Sequence, residues 1–196
     1  MKKGKGTLFV FTGPSGVGKG TLKQLLLEEF SDRIAYSVSA TTRKPRPGEK
    51  DGVDYWFVSR EEFLSRIERG EFLEYAQFAG NYYGTPAFAV QQQLELGHDV
   101  LLEIEVQGAA QIRSRVPEAV FIFVLPPSLE ELEKRLTLRN TEPPEVVRRR
   151  LAVAAGEIAQ ASLFTYNIVN DTLESAYAQL RRVYLEHSGA CAADRT

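Results

Sequence analysis

Gly13-Pro14-Ser15-Gly16-Val17-Gly18-Lys19-Gly20-Thr21 is the stretch whose reading decides the fold. Its first seven residues fit G-x-x-x-x-G-K, a loop whose backbone N–H groups surround a nucleotide's phosphates while the lysine meets the outer ones. Residues 7–12 (TLFVFT) form an apolar run rich in β-branched and aromatic residues that stops at Gly13-Pro14, which predicts a buried strand. Behind the loop, Leu22, Leu25, Leu26 and Phe30 recur at helical spacing, so a helix is predicted from Lys19 to Phe30. A merely tight glycine turn would share the glycines but leave Lys19 unexplained. Gly20 stands where a serine or threonine usually follows the lysine, with Thr21 one place later. A magnesium ion is therefore expected to be held by nucleotide phosphates and water rather than by a loop hydroxyl.

The strand-then-helix alternation recurs three times. Residues 100–104 precede a helix from about Gln107, residues 120–125 one from Ser128, and residues 166–169 one from Thr172. Such alternation implies a parallel sheet covered on both faces. Ser128 followed by Glu131 is a capping box that fixes one helix start, and Pro126-Pro127 ends the strand before it. Between 37 and 86 the pattern changes. Pro45, Pro47 and Gly48 punctuate a basic turn, followed by short apolar runs at 55–58 and 72–78 around a helix near 61–69. This predicts an inserted lobe of short antiparallel strands. Residues 139–145 (RNTEPPE), rich in turn formers and charge, are the expected mobile loop.

Composition narrows the function classes. With 24 Lys+Arg against 26 Asp+Glu, the net charge is −2, so binding of nucleic acid through bulk charge is not expected. The single cysteine, Cys191, excludes an intramolecular disulfide and a multi-cysteine metal site. The basic start is followed by an apolar run too short for a signal-peptide core or a membrane span, which predicts a cytoplasmic protein with no membrane partner. Forty-three per cent apolar residues in 196 suffice for one substantial core with smaller lobes inserted.

In the inserted lobe, Arg43 and Arg46 lie three apart in a proline-stiffened segment, suited to gripping a phosphate through paired N–H bonds; a solvated basic turn is the alternative. Tyr82-Tyr83 sits between Gly80 and Gly84, and Glu74 is flanked by aromatics in the run Phe72-Leu73-Glu74-Tyr75. These residues carry a resemblance. GPSGVGKGT, SVSATTRKPRPGEKDGVDY, EFLEYAQFAGNYYGT, VQG, RLTLRNTE and IVND, in this order, resemble guanylate kinase over about residues 7–186.

The resemblance implies a P-loop NTPase fold: a three-layer α/β/α core with a five-stranded parallel sheet, an inserted GMP-binding lobe and a lid. The core would comprise 1–36, 87–138 and 151–187, the GMP lobe 37–86 and the lid 139–150, with 188–196 a disordered tail. It implies transfer of the ATP γ-phosphoryl group to GMP with Mg²⁺, and no obligatory protein partner. Arg43, Arg46, Tyr55 and Tyr83 would hold the GMP phosphate, and Ser39, Glu74, Thr85 and Glu105 the guanine. Lys19, Arg43, Arg135, Arg139 and Arg150 would act on the transferring phosphates. Gly13, Pro14, Ser15, Gly16, Val17, Gly18, Lys19, Gly20 and Thr21 would bind ATP, with Asn170 near adenine. The chain departs from the family pattern at Glu103 and Glu105, where Asp is frequent, at Asn140, where Gly is common, and at Gly20.

Elementary chemistry agrees with the base assignment. Guanine presents N1–H and N2–H donors beside an O6 acceptor; a carboxylate such as Glu74 accepts from both donors, and a hydroxyl of Ser39 or Thr85 donates to O6. Adenine would set a lone pair against Glu74. A phosphate monoester loses its second proton near pH ~6, so no general base is needed, and His98 and His187 are expected to be non-catalytic. Two other readings stand beside this one: a non-catalytic module of the same fold that binds protein, which would have a degraded phosphate loop, and a kinase acting on a ribose phosphate.

Overall fold

The computed structural model describes residues 4–78, 80–138 and 143–188. The expectations for Arg139, Asn140, Cys191 and the tail from 189 onward concern residues outside this set. A five-stranded parallel sheet runs in the order β2 (Ile34–Tyr36), β7 (Asp99–Glu103), β1 (Leu8–Thr12), β8 (Val120–Leu125), β9 (Tyr166–Val169). Alternate residues of β1 serve its two faces, as strand geometry requires. Phe9 and Phe11 pack with Leu22 and Leu26 of α1 (Lys19–Glu29) and Leu180 and Val183 of α7 (Leu173–His187). Leu8 and Val10 pack with Val90 and Leu94 of α3 (Ala87–Glu95) and Ala109 and Ile112 of α4 (Val106–Arg115). Helices on both faces explain why these strands read as continuous apolar runs rather than as alternating ones.

A second, four-stranded sheet carries the insertion, in the order β4 (Trp56–Phe57), β3 (Ala40–Thr41), β6 (Asn81–Pro86), β5 (Phe72–Phe78), with α2 (Arg60–Glu68) against it. Phe63 of α2 is fully buried and stacks on Phe72 at 4.4 Å, closing the lobe's own small core. The strand expectation needs one correction: β3 pairs with β4 in parallel, and only β3–β6 and β5–β6 are antiparallel. The chain between β3 and β4 is the proline-rich basic turn, long enough to return to the same end of the lobe. The strand β2 had no signal of its own in the apolar pattern, because it has three residues, sits at the sheet edge and fully buries only Ile34.

The helices start where the caps require. Ser128 Oγ accepts from Glu131 N–H at 3.1 Å ahead of α5 (Leu129–Leu138), and Thr172 Oγ1 accepts from Ser175 N–H at 3.2 Å ahead of α7. α6 (Pro144–Ile158) packs on α5 through Val147 and Ala154 against Leu132 and Leu136. The described part of the expected lid, 143–150, is thus Pro143 and the first half of a continuous helix. Among the described residues, no helix is long and apolar enough to cross a membrane.

Asp99, the first residue of β7, fastens the start of β1 to α7. Its buried carboxylate accepts from Thr7 N–H at 2.7 Å and from the Tyr184 hydroxyl at 3.0 Å. Replacement of Asp99 by Ala would strand both donors, an expected loss of about 2–4 kcal/mol. Urea denaturation measures it; a loss below about 1 kcal/mol would mean that water substitutes for the carboxylate.

Candidate active site

Because the five strands are parallel, their carboxyl ends line one edge, and the chain leaves β1 and β8 toward opposite sides there. Ligands of open α/β sheets bind at such a switch point. The glycine loop occupies it, between β1 and α1. Gly18 precedes α1 with φ +97°, and a side chain there would run into Nδ2 of Asn170. Asn170, at the end of β9, is itself buried; its Nδ2 donates to Val17 O at 2.7 Å and its N–H to Leu125 O at 2.8 Å. The asparagine therefore braces the loop from the neighbouring strand end. No side chain caps α1, so its first-turn N–H groups face outward as an anion site.

Lys19 opens α1 and folds over the loop, donating to Gly13 O at 2.5 Å and Pro14 O at 3.1 Å. Burial lowers its pKa, while Glu103, Glu105 and Glu157 pull in the other direction. Glu103, the last residue of β7, is 2.7 Å from Lys23, whose ammonium stands over the Tyr36 ring at 4.3 Å. Arg150 of α6 donates to Ser15 Oγ at 2.6 Å, and Arg135 of α5 donates to Asn170 O at 3.0 Å. Lys19, Arg135 and Arg150 thus converge on the loop from three helices. Arg148 and Arg149 are exposed, as a solvated helix face would be. His98 is held by Gln93 at 2.8 Å and His187 bonds Tyr166, both away from the loop.

Glu157 was not legible as a site residue. It lies two turns beyond Arg150 on the same face of α6 and hydrogen-bonds Glu105, the residue that precedes α4. Its pKa is pushed up to about 7, chiefly by burial and then by Glu105, with Lys19 opposing. The raised Glu157 carboxyl thus stands where α6 approaches the start of α4.

The lobe sets out the remaining expected residues. Arg43, just past β3, makes a two-pronged pair with Glu49 at 2.8 and 3.0 Å, which raises the guanidinium's pKa. Glu49 also accepts from Arg46 N–H at 2.7 Å, so this glutamate shapes the basic turn; the Arg46 side chain is exposed. The Arg43 guanidinium lies 5.3 Å from the Tyr55 ring, and Tyr55 meets Tyr83 edge-on at 6.0 Å. Arg43, Tyr55 and Tyr83 therefore form one cluster. Ser39 is half-buried and its carbonyl accepts from Trp56 N–H at 2.9 Å.

Glu74 of β5 and Thr85 of β6 are cross-strand partners, both buried, and the Thr85 hydroxyl donates to Glu74 Oε1 at 2.6 Å. Burial raises the Glu74 pKa, with the Thr85 bonds opposing and Glu105 adding to the rise. The lobe's edge strand, β5, is clamped by α4. The Gln111 side chain pairs with both backbone groups of Tyr75, at 3.2 and 2.7 Å, and Arg115 donates to Phe72 O at 2.6 Å and Leu73 O at 2.9 Å.

The guanylate kinase family model matches residues 5–187. This chain belongs to the guanylate kinase family. Guanylate kinase of Desulfitobacterium hafniense is 52% identical over 185 residues, covering 94% of this chain and 92% of that one. A guanylate kinase of Thermus thermophilus is 55% identical over 178 residues, covering 91% and 79%. The crystal structure of guanylate kinase from Anaplasma phagocytophilum superimposes with a TM-score of 0.76 at 37% identity, covering 95% of this chain and 89% of that one. Family membership makes the protein an ATP:GMP phosphotransferase, a nucleoside monophosphate kinase with the P-loop α/β fold.

The carboxyl pair predicts a pH dependence. A carboxyl whose folded pKa is raised from 4.5 to about 7 contributes stability below its unfolded value that is lost as pH rises through about 7. Glu157→Gln keeps a donor toward Glu105 without titrating. The stability of this variant relative to the unsubstituted protein is expected to grow by about 1–2 kcal/mol between pH 5 and pH 8. Denaturation at the two pH values checks this, and a constant difference would dissociate Glu157 from the titration.

Proposed function

We propose that ATP occupies the glycine loop and GMP the inserted lobe, and that the γ-phosphoryl group passes directly and reversibly between them, giving ADP and GDP. dGMP is a second expected acceptor. The observation that carries the GMP assignment is the buried Glu74–Thr85 pair. A buried carboxylate matches the N1–H and N2–H edge of guanine and mismatches the unprotonated N1 of adenine. Ser39 is the expected hydroxyl donor to O6, because the one Thr85 proton is committed to Glu74 Oε1, and Glu105 would be a further partner of the base. Arg43, Arg46, Tyr55 and Tyr83 would hold the GMP phosphate, where the aromatic cluster positions the Arg43 fork.

In the transfer, a GMP phosphate oxygen attacks Pγ, a new P–O bond forms and the bond to the β-phosphate oxygen breaks, releasing ADP. The GMP phosphate is already dianionic above pH ~6, so no side chain has to take a proton. The protein's task is to bring two anions into line and to neutralise charge in a loose transition state. Loop N–H groups and Lys19 meet the ATP phosphates, and Arg135, Arg150 and Arg139 close on the transferring group. Asn170 keeps the loop in shape and sits beside the adenine end.

Mg²⁺ is expected to arrive with ATP. Gly20 supplies no hydroxyl and Thr21 is exposed, which favours phosphate and water as the ion's ligands. The charges of Glu103, Glu105 and Glu157 are felt at Lys19, and their field would favour a cation held there by phosphates and water. Bound, it would neutralise phosphate charge. The complete loop and convergent arginines favour catalysis over a protein-binding module, and free nucleotide substrates fit a cytoplasmic enzyme without nucleic acid, membrane or obligatory protein partners. Closure of the lobe and the lid would exclude water from the phosphoryl group.

Two substitutions test this. Lys19→Ala is expected to lower kcat by orders of magnitude with the thermal transition retained; near-normal turnover would remove the lysine from the mechanism. Glu74→Gln keeps the volume but turns one acceptor into a donor, so it should raise the KM for GMP and narrow the GMP/AMP ratio of kcat/KM by about tenfold or more. An unchanged ratio would mean that guanine is read elsewhere.

A further inference from the structure

We propose that Gly108 is a specificity-determining position for GMP, acting through Glu74: the absence of a side chain there lets the base-reading carboxylate seat against the first turn of α4. Gly108 is the third residue of α4, fully covered, with ordinary helical backbone, so no left-handed conformation demands glycine. Space does. A Cβ on Gly108 would lie inside van der Waals contact of Glu74 Oε2, 3.0 Å from its Cδ and 3.4 Å from its Cγ. No other neighbour is as close.

The neighbours cannot give way easily. Gln111 and Arg115 follow Gly108 on the same helix face at i+3 and i+7, and both bond the β5 backbone around Glu74. They fix the distance between α4 and β5. On the other side, Thr85 holds Oε1 at 2.6 Å. The carboxylate is thus confined between a hydroxyl and a bare helix backbone, and a methyl at position 108 would push it out of the place where it meets both guanine donors. A glycine in a helix interior is otherwise unfavourable relative to alanine. A helix that needed only propensity here would hold a side chain.

This inference rests on the reading that Glu74 recognises guanine, and the test separates the two. KM and kcat for GMP and AMP, and KM for ATP, are measured for Gly108→Ala, Glu74→Gln, Glu74→Asp and the Glu74→Asp/Gly108→Ala double variant, with thermal unfolding of each. Gly108→Ala is expected to raise the GMP KM at least tenfold, leave the ATP KM within twofold, lower kcat at saturating GMP less than KM rises, and narrow the GMP/AMP ratio. Because aspartate is one methylene shorter, adding Gly108→Ala to Glu74→Asp should do much less damage than adding it to the unsubstituted protein. If Gly108→Ala alone does not fold, the double variant carries the test, and its folding with GMP preference retained supports the proposal. A GMP/AMP ratio untouched by Gly108→Ala, while Glu74→Gln collapses it, overturns the role of Gly108 alone. A ratio untouched by Glu74→Gln overturns the guanine reading and this inference with it. Equal damage from the methyl in both backgrounds, or a double variant that fails to fold while Glu74→Asp folds, assigns Gly108 a packing role and also overturns the proposal.

Discussion

Hydrogen-bonding five strands in parallel forces their carboxyl ends to one edge, and the arrangement of charge in this protein follows from that constraint. The glycine loop leaves β1, Glu103 ends β7, and Asn170 follows β9, so the glycine loop, an acidic strand end and a bracing amide become neighbours although 157 positions separate Gly13 from Asn170. An uncapped α1 then adds the anion-binding N–H groups. The helices α5 and α6, packed on each other outside the sheet, bring Arg135 and Arg150 to the same place. Opposing charges meet there at short range, and each is partly shielded from water, which makes their balance sensitive to the arrival of polyphosphate.

The helix α4 joins the two halves of the site mechanically. Its first residues follow Glu105 beside the phosphate loop, and its side chains at 111 and 115 grip the backbone of β5 in the inserted lobe. Under the proposed placement of the two nucleotides, the base near Glu74 and the phosphates near Lys19 would be referred to one element, as a reaction that depends on alignment requires.

Much of this was legible in the residue order. The strand, glycine loop and first helix, the three later strand–helix units and the Ser128 cap follow from apolar spacing and turn chemistry, and the structure places each within about a residue or two of its expected start. The lobe strand β3 and the edge strand β2 were not legible, because elements of two or three residues carry no periodicity. The parallel pairing of β3 with β4 was likewise hidden, since register depends on how the intervening turn folds back. Glu49, Gln111, Arg115 and Glu157 escaped notice for a different reason: each is an ordinary polar residue on a helix or turn until its distant partner is known.

The sequence by itself determined the fold class, the phosphate loop and the residue types available for chemistry, because those depend on local spacing of apolar residues, glycines and charges. Tertiary structure alone decided which of those residues meet. Whether Asn170 braces the loop, whether Glu157 is buried toward Glu105 and whether Gly108 leaves room for a carboxylate depend on the approach of elements far apart in the chain. Those approaches are set by packing at the scale of a single methyl group, a quantity that no local pattern of residues encodes.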